Sequence, residues 1–208
     1  MNHMIEFVFD ANVPWDLEKI NKLDKIMQVL DNSNFKICMS YDNFIEMPHD
    51  VRNKFRKYQF VVIDEPDEMD FKEFRTRIRN EKIILDKKDS AVLYSCNKTG
   101  ADFIVSSDTH FLLEAKKYIK IFDRKTRAFH LLDAIKYLKQ MEILDAKSCV
   151  NTSLDLYKKK EIPHLVTNHG NELIDDTLKR NDWINNETKS CMNTFNNYKQ
   201  HIFSYYQL

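Results

Sequence analysis

The chain has 208 residues and no formal net charge, because 32 Lys and Arg side chains balance 32 Asp and Glu side chains. With 43% hydrophobic residues it can bury a sizeable core, which excludes wholesale disorder. Its two glycines are too few for a glycine-rich phosphate loop or a dinucleotide fingerprint, so P-loop enzymes and Rossmann dehydrogenases are excluded.

The first predicted elements form a β-α-β opening. Met4–Asp10 is a short apolar run that ends in an acid, as in a buried parallel strand. Pro14 predicts a turn, and Asp16 is the expected N-cap of one helix whose apolar residues repeat at helical spacing as far as Leu30. The run Phe35–Met39 predicts the second strand.

The middle of the chain continues this alternation. Ser40–Arg56 predicts one or two short helices, Phe60–Ile63 a third strand and Phe71–Glu81 a further helix. A strong helical pattern then begins at Asp89, and Gly100 follows where a C-terminal glycine stop is expected.

The next segment predicts two more strands. Ala101–Ser107 contains an apolar strand, and a short helix is expected from Thr109. Ile119–Phe122 is the candidate for the last strand, and His130–Leu138 predicts the final helix. Strands that alternate with helices predict a three-layer α/β/α domain with a mostly parallel central sheet.

The composition changes after about residue 145, where Asn, Thr, Lys and Ser become frequent. We therefore predict a domain over residues 1–145 and a C-terminal helical extension over residues 146–208. Within the extension, Lys158–Lys160 predicts an exposed linker, Glu172–Ile184 a helix and Phe203–Tyr206 an aromatic cluster ready for packing.

The cysteine pattern and hydropathy bear on the compartment. The four cysteines are widely separated, so no Cys-x-x-Cys motif is present and we expect free thiols in a reducing cytoplasm. No apolar run approaches the roughly 20 residues that span a bilayer. The expectation is a cytoplasmic protein without membrane contact.

Acidic residues recur where predicted strands end and helices begin. Asp10 ends the first strand, Asp108 follows a later strand, and Asp89 opens the helix before that strand. These positions share one edge of a parallel sheet, and Glu46, after the second strand, can reach it. Gathered carboxylates need a counter-ion, and Mg²⁺ and Mn²⁺ prefer oxygen ligands. The sequence therefore predicts a Mg²⁺ or Mn²⁺ site.

Each acid also has a purely structural interpretation, as a turn residue or a helix cap. Asp89 is the weakest functional candidate, because Asp at a helix start is expected for capping alone. Asp10 and Asp108 follow apolar strands, where a lone carboxylate would be costly. Two basic clusters, Arg52–Lys57 and Arg75–Arg79, are compatible either with phosphate binding or with a solvated helix face.

Four segments resemble the PIN-domain nucleases in order and spacing, over about residues 4–140. They are Phe7–Asn12, Tyr41–Glu46, Lys88–Ala91 and Ala101–Phe111. The resemblance implies a metal-dependent endoribonuclease that hydrolyses RNA at an acidic Mg²⁺ or Mn²⁺ site. Many prokaryotic members are toxins of toxin–antitoxin pairs (VapC-like), which implies an antitoxin partner and a homodimer.

The same resemblance assigns residues. It implies that Asp10, Glu46, Asp89 and Asp108 are both the catalytic and the metal-binding side chains. Ser106 or Ser107 would orient a ligand or a water molecule. His110 stands where many members have a further acid, which leaves the number of metal ions open.

Two other functions remain open at this point. A haloacid-dehalogenase-type phosphatase also begins with an apolar strand and Asp, but Asn12 stands where that chemistry needs a second acid. Alternatively, a catalytically inactive PIN-like chain would serve as an RNA-binding or protein-interaction module.

Overall fold

The structure is a computed structural model that describes residues 4–159. It divides the chain into two compact units, Met1–Leu131 and Leu132–Leu208. The helix and the aromatic cluster expected beyond residue 160 lie outside the described residues, and the boundary at residue 145 stays a prediction.

The first unit contains a five-stranded sheet in which every pairing is parallel, in the order β3-β2-β1-β4-β5. The strands are β1 (Ile5–Phe9), β2 (Phe35–Ser40), β3 (Val61–Asp64), β4 (Phe103–Ser106) and β5 (Arg127–His130). The central position of β1 explains its continuous apolar run, since a strand covered on both faces has no solvent side. Helices flank this sheet, which confirms the α/β class.

Between Ile5 and His130, seven helices connect these strands. They are α1 (Asn12–Lys19), α2 (Leu23–Asp31), α3 (Tyr41–Glu46), α4 (His49–Phe55), α5 (Glu68–Asn80), α6 (Lys87–Thr99) and α7 (Thr109–Ile121). α6 contacts β1, β2 and β4, so it lies across the centre of the sheet. It ends at Gly100, whose φ of 70° is the left-handed conformation that glycine tolerates best, as the sequence predicted.

The prediction of one helix that begins at Asp16 is wrong. The chain forms α1 and α2 instead, separated at Asn21, whose φ is 55°. Asp16 lies inside α1, buried, and its carboxylate accepts a hydrogen bond from Lys19 at 3.4 Å. Pro14 sits in the first turn of α1, where its missing N–H removes no helical hydrogen bond, so it does not mark a turn.

The predicted strand at Ile119–Phe122 is also wrong, because Ile119 to Ile121 form the end of α7. A short apolar run fits a buried helix as well as a strand, and periodicity alone does not separate the two. Here Tyr118, the residue before this run, is fully buried and lies on the buried face of α7. The last strand is β5, further along the chain, and α7 is 13 residues long rather than short.

Helix α8 (Leu131–Gln140) begins at the last residue of the first unit and otherwise belongs to the second, which also contains α9 (Ala146–Lys159). Cys149 in α9 contacts the carbonyl oxygen of Ile135 in α8 at 3.7 Å. Lys158 and Lys159 are the last residues of α9, so the predicted linker at this place is wrong for those two residues. No helix within residues 4–159 is both long and apolar enough to cross a bilayer.

Candidate functional site

The strand order creates one place where the chain reverses direction across the sheet. The chain proceeds from β1 to β2 and β3 on one side, and then returns to add β4 and β5 on the other. In open parallel sheets, ligands bind at the carboxyl ends of the strands that flank such a switch point. Asp10 directly follows β1, Ser106 ends β4, and the Asp10 N–H donates to the Val105 carbonyl at 3.0 Å. We call this place the switch-point crevice.

Three side chains hold the Asp10 carboxylate in a fixed orientation. Its Oδ2 accepts hydrogen bonds from Ser106 Oγ at 2.6 Å and from Asn12 Nδ2 at 2.5 Å. Its Oδ1 accepts from Asn43 Nδ2 at 3.3 Å. Asn43 is in turn positioned by Ser40, the N-cap of α3. Asp10 is therefore tied to elements on both sides of β1.

The same network fixes the end of β4. Asn12 Oδ1 accepts the Ser107 N–H at 2.8 Å, and Ser106 Oγ accepts the Asp108 N–H at 2.9 Å. Asn12 Nδ2 also donates to Ser106 Oγ at 3.0 Å. The backbone that carries Asp108 is thus positioned by the side chains that bind Asp10.

Burial is the main influence on the ionisation of Asp10, which is only 6% exposed. Loss of hydration raises the pKa of its carboxyl from 3.8 to about 6. The hydrogen bonds from Ser106 and the Ala11 backbone oppose this shift, and the negative charges of Asp108 and Glu46 add to it.

Asp89 is not the cap of its helix, contrary to its structural interpretation. Asp86 caps α6, because its side chain accepts the Asp89 N–H at 2.8 Å. The half-buried Asp89 carboxylate accepts no hydrogen bond from any residue in the range 4–159. Burial first, and then the charges of Asp86 and Asp10, raise its pKa from 3.8 to about 7. Asp108 and Glu46 contribute to the same shift.

Asp108, by contrast, does cap a helix. Its Oδ1 accepts the N–H groups of His110 at 2.8 Å and Phe111 at 3.1 Å, at the start of α7. The expectation that Asp89 has the stronger structural role is therefore wrong. Asp108 is exposed, and both capping hydrogen bonds go to Oδ1 rather than Oδ2.

Glu46, at the end of α3, already has a cationic partner. Lys88 Nζ donates to its carboxylate, and Lys87 Nζ lies 3.1 Å from the Asp42 carboxylate. Two ion pairs thus connect α3 with the first turn of α6, beside Asp89. Lys88 places one positive charge at the rim of the crevice.

The four predicted acids thus interact electrostatically, although their carboxylates do not form a complete metal-coordination shell. Within residues 4–159, no three His, Cys, Asp or Glu side chains lie together closely enough to hold an ion as they stand. Mg²⁺ typically retains several waters and takes only one or two carboxylates directly. The all-oxygen donor set fits such an ion, and the ligand roles of the four acids stay predictions.

Sequence reasoning missed the polar residues that organise the site. Asn12 was noted as part of the PIN-like segment and as a break in the phosphatase motif, but no role toward Asp10 was predicted for Asn12, Asn43 or Lys88. The Asn43–Asp10 hydrogen bond joins residues 33 positions apart, which no local pattern reveals. The one available signal was Ser40 three residues before Asn43, a helix-capping arrangement at the end of an apolar strand.

Some side chains of the two basic clusters, Arg52–Lys57 and Arg75–Arg79, interact with acids or aromatic rings other than the crevice residues. Lys54 pairs with Glu18 at 2.5 Å and lies 3.8 Å from Asp24. On α5, the guanidinium of Arg77 lies over the rings of Phe74 and Phe122.

The fold and site define an α/β protein with a five-stranded parallel sheet and an acidic crevice at its switch point. No protein-family model matches the chain, and no curated protein matches it. The resemblance to the PIN-domain nucleases therefore depends on the residues of this chain alone.

Proposed function

We propose that this chain is a PIN-type, metal-dependent endoribonuclease that hydrolyses RNA phosphodiester bonds in the switch-point crevice. One observation carries the proposal. Asp89 is a half-buried carboxylate without a hydrogen-bond donor among the described residues, and burial first, then the charges of neighbouring acids, raise its pKa. A divalent cation would relieve this repulsion, and the oxygen donors suit Mg²⁺ or Mn²⁺.

The residues would divide the work according to their surroundings. Asp10, held by three donors, presents a carboxylate of fixed orientation, as hydrogen-bonded ligands do in metal sites. Asp89 and the Oδ2 atom of Asp108 offer oxygens without other partners among residues 4–159. Glu46 would complete the set once Lys88 moves away. A bound ion supplies Lewis acidity, which lowers the pKa of water and neutralises phosphate charge.

The test compares two acids at the same helix position. Asp89 and Asp70 are each the third residue after an Asp N-cap, in α6 and α5, but only Asp89 faces the crevice acids. With labelled RNA and Mn²⁺, Asp89→Asn should lose on the order of 100-fold or more in cleavage rate, as for loss of a group that stabilises transition-state charge. Asp70→Asn should cleave like wild type, and EDTA should stop all cleavage. Full metal-dependent cleavage by folded Asp89→Asn protein would refute the assignment.

The wider biological setting is proposed from the same family resemblance. We propose a cytoplasmic ribonuclease of the VapC-like type, with a homodimer as its form and an antitoxin protein as its inhibitor. Growth arrest on expression, relieved by a co-expressed neighbouring small protein, would support the toxin role. Growth unaffected by an active enzyme would count against it.

The second candidate is an inactive RNA-binding or protein-interaction module. It is favoured by the Lys88–Glu46 ion pair and by the lack of a three-ligand cluster within the described residues. RNA binding in EDTA without cleavage in Mn²⁺ would support this alternative.

The phosphatase alternative has less support, because the Asn12 side chain donates to Asp10 where an acid would be needed. Covalent phosphorylation of Asp10 would revive it.

A further inference from the structure

An open groove of about 680 Å³ runs along α5 and reaches the starts of α3 and α6. It lies entirely within the first unit. Its lining includes four cations, three acids and an exposed tyrosine. The cations are Lys72, Arg75, Arg79 and Lys87.

Three of these cations lie on one face of α5. Lys72, Arg75 and Arg79 are spaced three and four residues apart, which places them in a row along the helix. Lys72 and Arg79 are exposed and have no ion-pair partner within residues 4–159. The buried Nε of Arg75 also lacks an acceptor there, while its guanidinium lies over the Phe71 ring, 5.9 Å from the centroid.

The acids of the groove do not neutralise this row. Asp42 is paired with Lys87 at 3.1 Å. Glu65 lies before α5 and Glu68 is its first residue, one turn before Lys72, whereas Arg75 and Arg79 belong to the middle and last turns of the helix. The middle of α5 therefore presents a positive surface to the groove, although the whole chain has no net charge.

The groove ends beside the acidic crevice. Its Asp42–Lys87 pair is adjacent in both helices to the Glu46–Lys88 pair, and Lys87 is two residues from Asp89. Tyr41, 43% exposed, stands at the same end. An aromatic ring there offers a platform on which an unpaired base can stack.

We propose that this groove, which we call the α5 groove, binds single-stranded RNA and directs it to the crevice. Lys72, Arg75 and Arg79 hold backbone phosphates through their charged groups. Tyr41 stacks a base, which a duplex cannot offer because its bases are already stacked. The inference rests on the proposed function only for the step after binding, which is the cut in the crevice.

The test measures binding without chemistry. Fluorescence anisotropy in EDTA follows a labelled single-stranded RNA of about 12 nucleotides, within the range of single-strand site sizes. Lys72→Gln/Arg79→Gln removes two exposed charges from the groove, and Lys116→Gln/Lys120→Gln removes two exposed charges from α7 as the matched control.

We expect the groove variant to bind about tenfold more weakly near physiological salt, and its slope of log affinity against log salt to fall by about 1.4, at about 0.7 for each lost single-strand phosphate contact. The control should resemble wild type. Tyr41→Leu should weaken binding roughly tenfold with an unchanged salt slope, because stacking releases no counterions. A groove variant that binds no worse than the control, tight binding of duplex RNA, or no binding by wild type would overturn the proposal.

The two proposals fail in distinguishable ways. RNA binding in EDTA that depends on the groove residues, without cleavage in Mn²⁺, would refute the nuclease proposal and support the groove proposal. Metal-dependent cleavage that the groove variant performs like wild type would support the nuclease proposal and refute the groove proposal.

Discussion

Two carboxylates at the switch-point crevice, those of Asp10 and Asp89, have contrasting surroundings. Asp10 is nearly fully buried but accepts hydrogen bonds from three side chains, so its charge is partly solvated by the protein. Asp89 is less buried, yet accepts none within residues 4–159, and its pKa is raised further, to about 7. The comparison shows that partners matter as much as burial. Asp10 is held in place by the protein, whereas the ionised form of Asp89 has no hydrogen-bond donor within residues 4–159 to stabilise it.

The largest expected effects come from replacing Asp10 and Asp89, and the two substitutions should differ in how they change the free energy of unfolding. Asp10→Ala should abolish cleavage and lower the free energy of unfolding by about 2–3 kcal/mol, because the buried donors of Ser106 and Asn43 lose their acceptor. Asp89→Ala should abolish cleavage without this loss. Urea unfolding near pH 3.5 without metal, where both carboxyl groups are protonated in the folded state, measures the two free energies of unfolding, and equal destabilisation by the two substitutions would contradict the comparison.

A pH series sharpens the same contrast. Because the folded pKa of Asp89 is about 7 and its ordinary value is 3.8, the folded state binds more protons between these limits. The ionised group thus lowers stability as pH rises through that window, and the full loss is present above pH 7. Asp89→Asn should therefore be more stable than wild type at pH 8, by on the order of 1–2 kcal/mol after solvent screening, and equal to it near pH 3.5.

Urea midpoints at the two pH values provide the measurement, with Asp70→Asn as the control for a substitution in the first turn. A gain for Asp89→Asn that is the same at both pH values would reflect helix propensity rather than ionisation.

A smaller effect is expected from the residues that orient Asp10. Ser106→Ala and Asn43→Ala should each weaken Mn²⁺ binding about 10- to 100-fold, as loss of a partner behind a metal ligand does. Ser95→Ala is a control, since Ser95 is also buried but donates to Asp64 instead. Calorimetric titration of folded variants decides the matter. Unchanged Mn²⁺ affinity in both Asp10-network variants would mean that Asp10 is no ligand.

The smallest effect concerns Lys88, the side chain that is paired with Glu46. Lys88→Met should raise Mn²⁺ affinity a few-fold, because it frees Glu46 and removes an exposed charge that repels the cation. Lys87→Met, which frees Asp42, should change the affinity less. A lower Mn²⁺ affinity for Lys88→Met would show that Lys88 supports the site.

The sequence predicted the framework because strands and helices leave periodic signals. The apolar runs before Asp10 and Asp108 identified β1 and β4, and the switch point then placed both residues at one edge. The run at Ile119–Phe122 misled because four apolar or amphipathic residues fit either element.

The site was predicted less completely. The acidic residues were predicted, since a carboxylate after an apolar strand is unusual. The hydrogen bonding and pKa of each acid were not predicted, because they depend on which neighbour supplies a hydrogen bond. Asp86 rather than Asp89 caps α6, and Asn43 reaches Asp10 across the fold. Such contacts exist only once the strands are paired.

Mn²⁺ binding to wild type, Asp89→Asn and Asp70→Asn tests the central claim most directly, by calorimetric titration at pH 8. The account predicts a saturable site in wild type and in Asp70→Asn, and its loss in Asp89→Asn. Binding that survives unchanged in Asp89→Asn, or no binding by wild type, would contradict it.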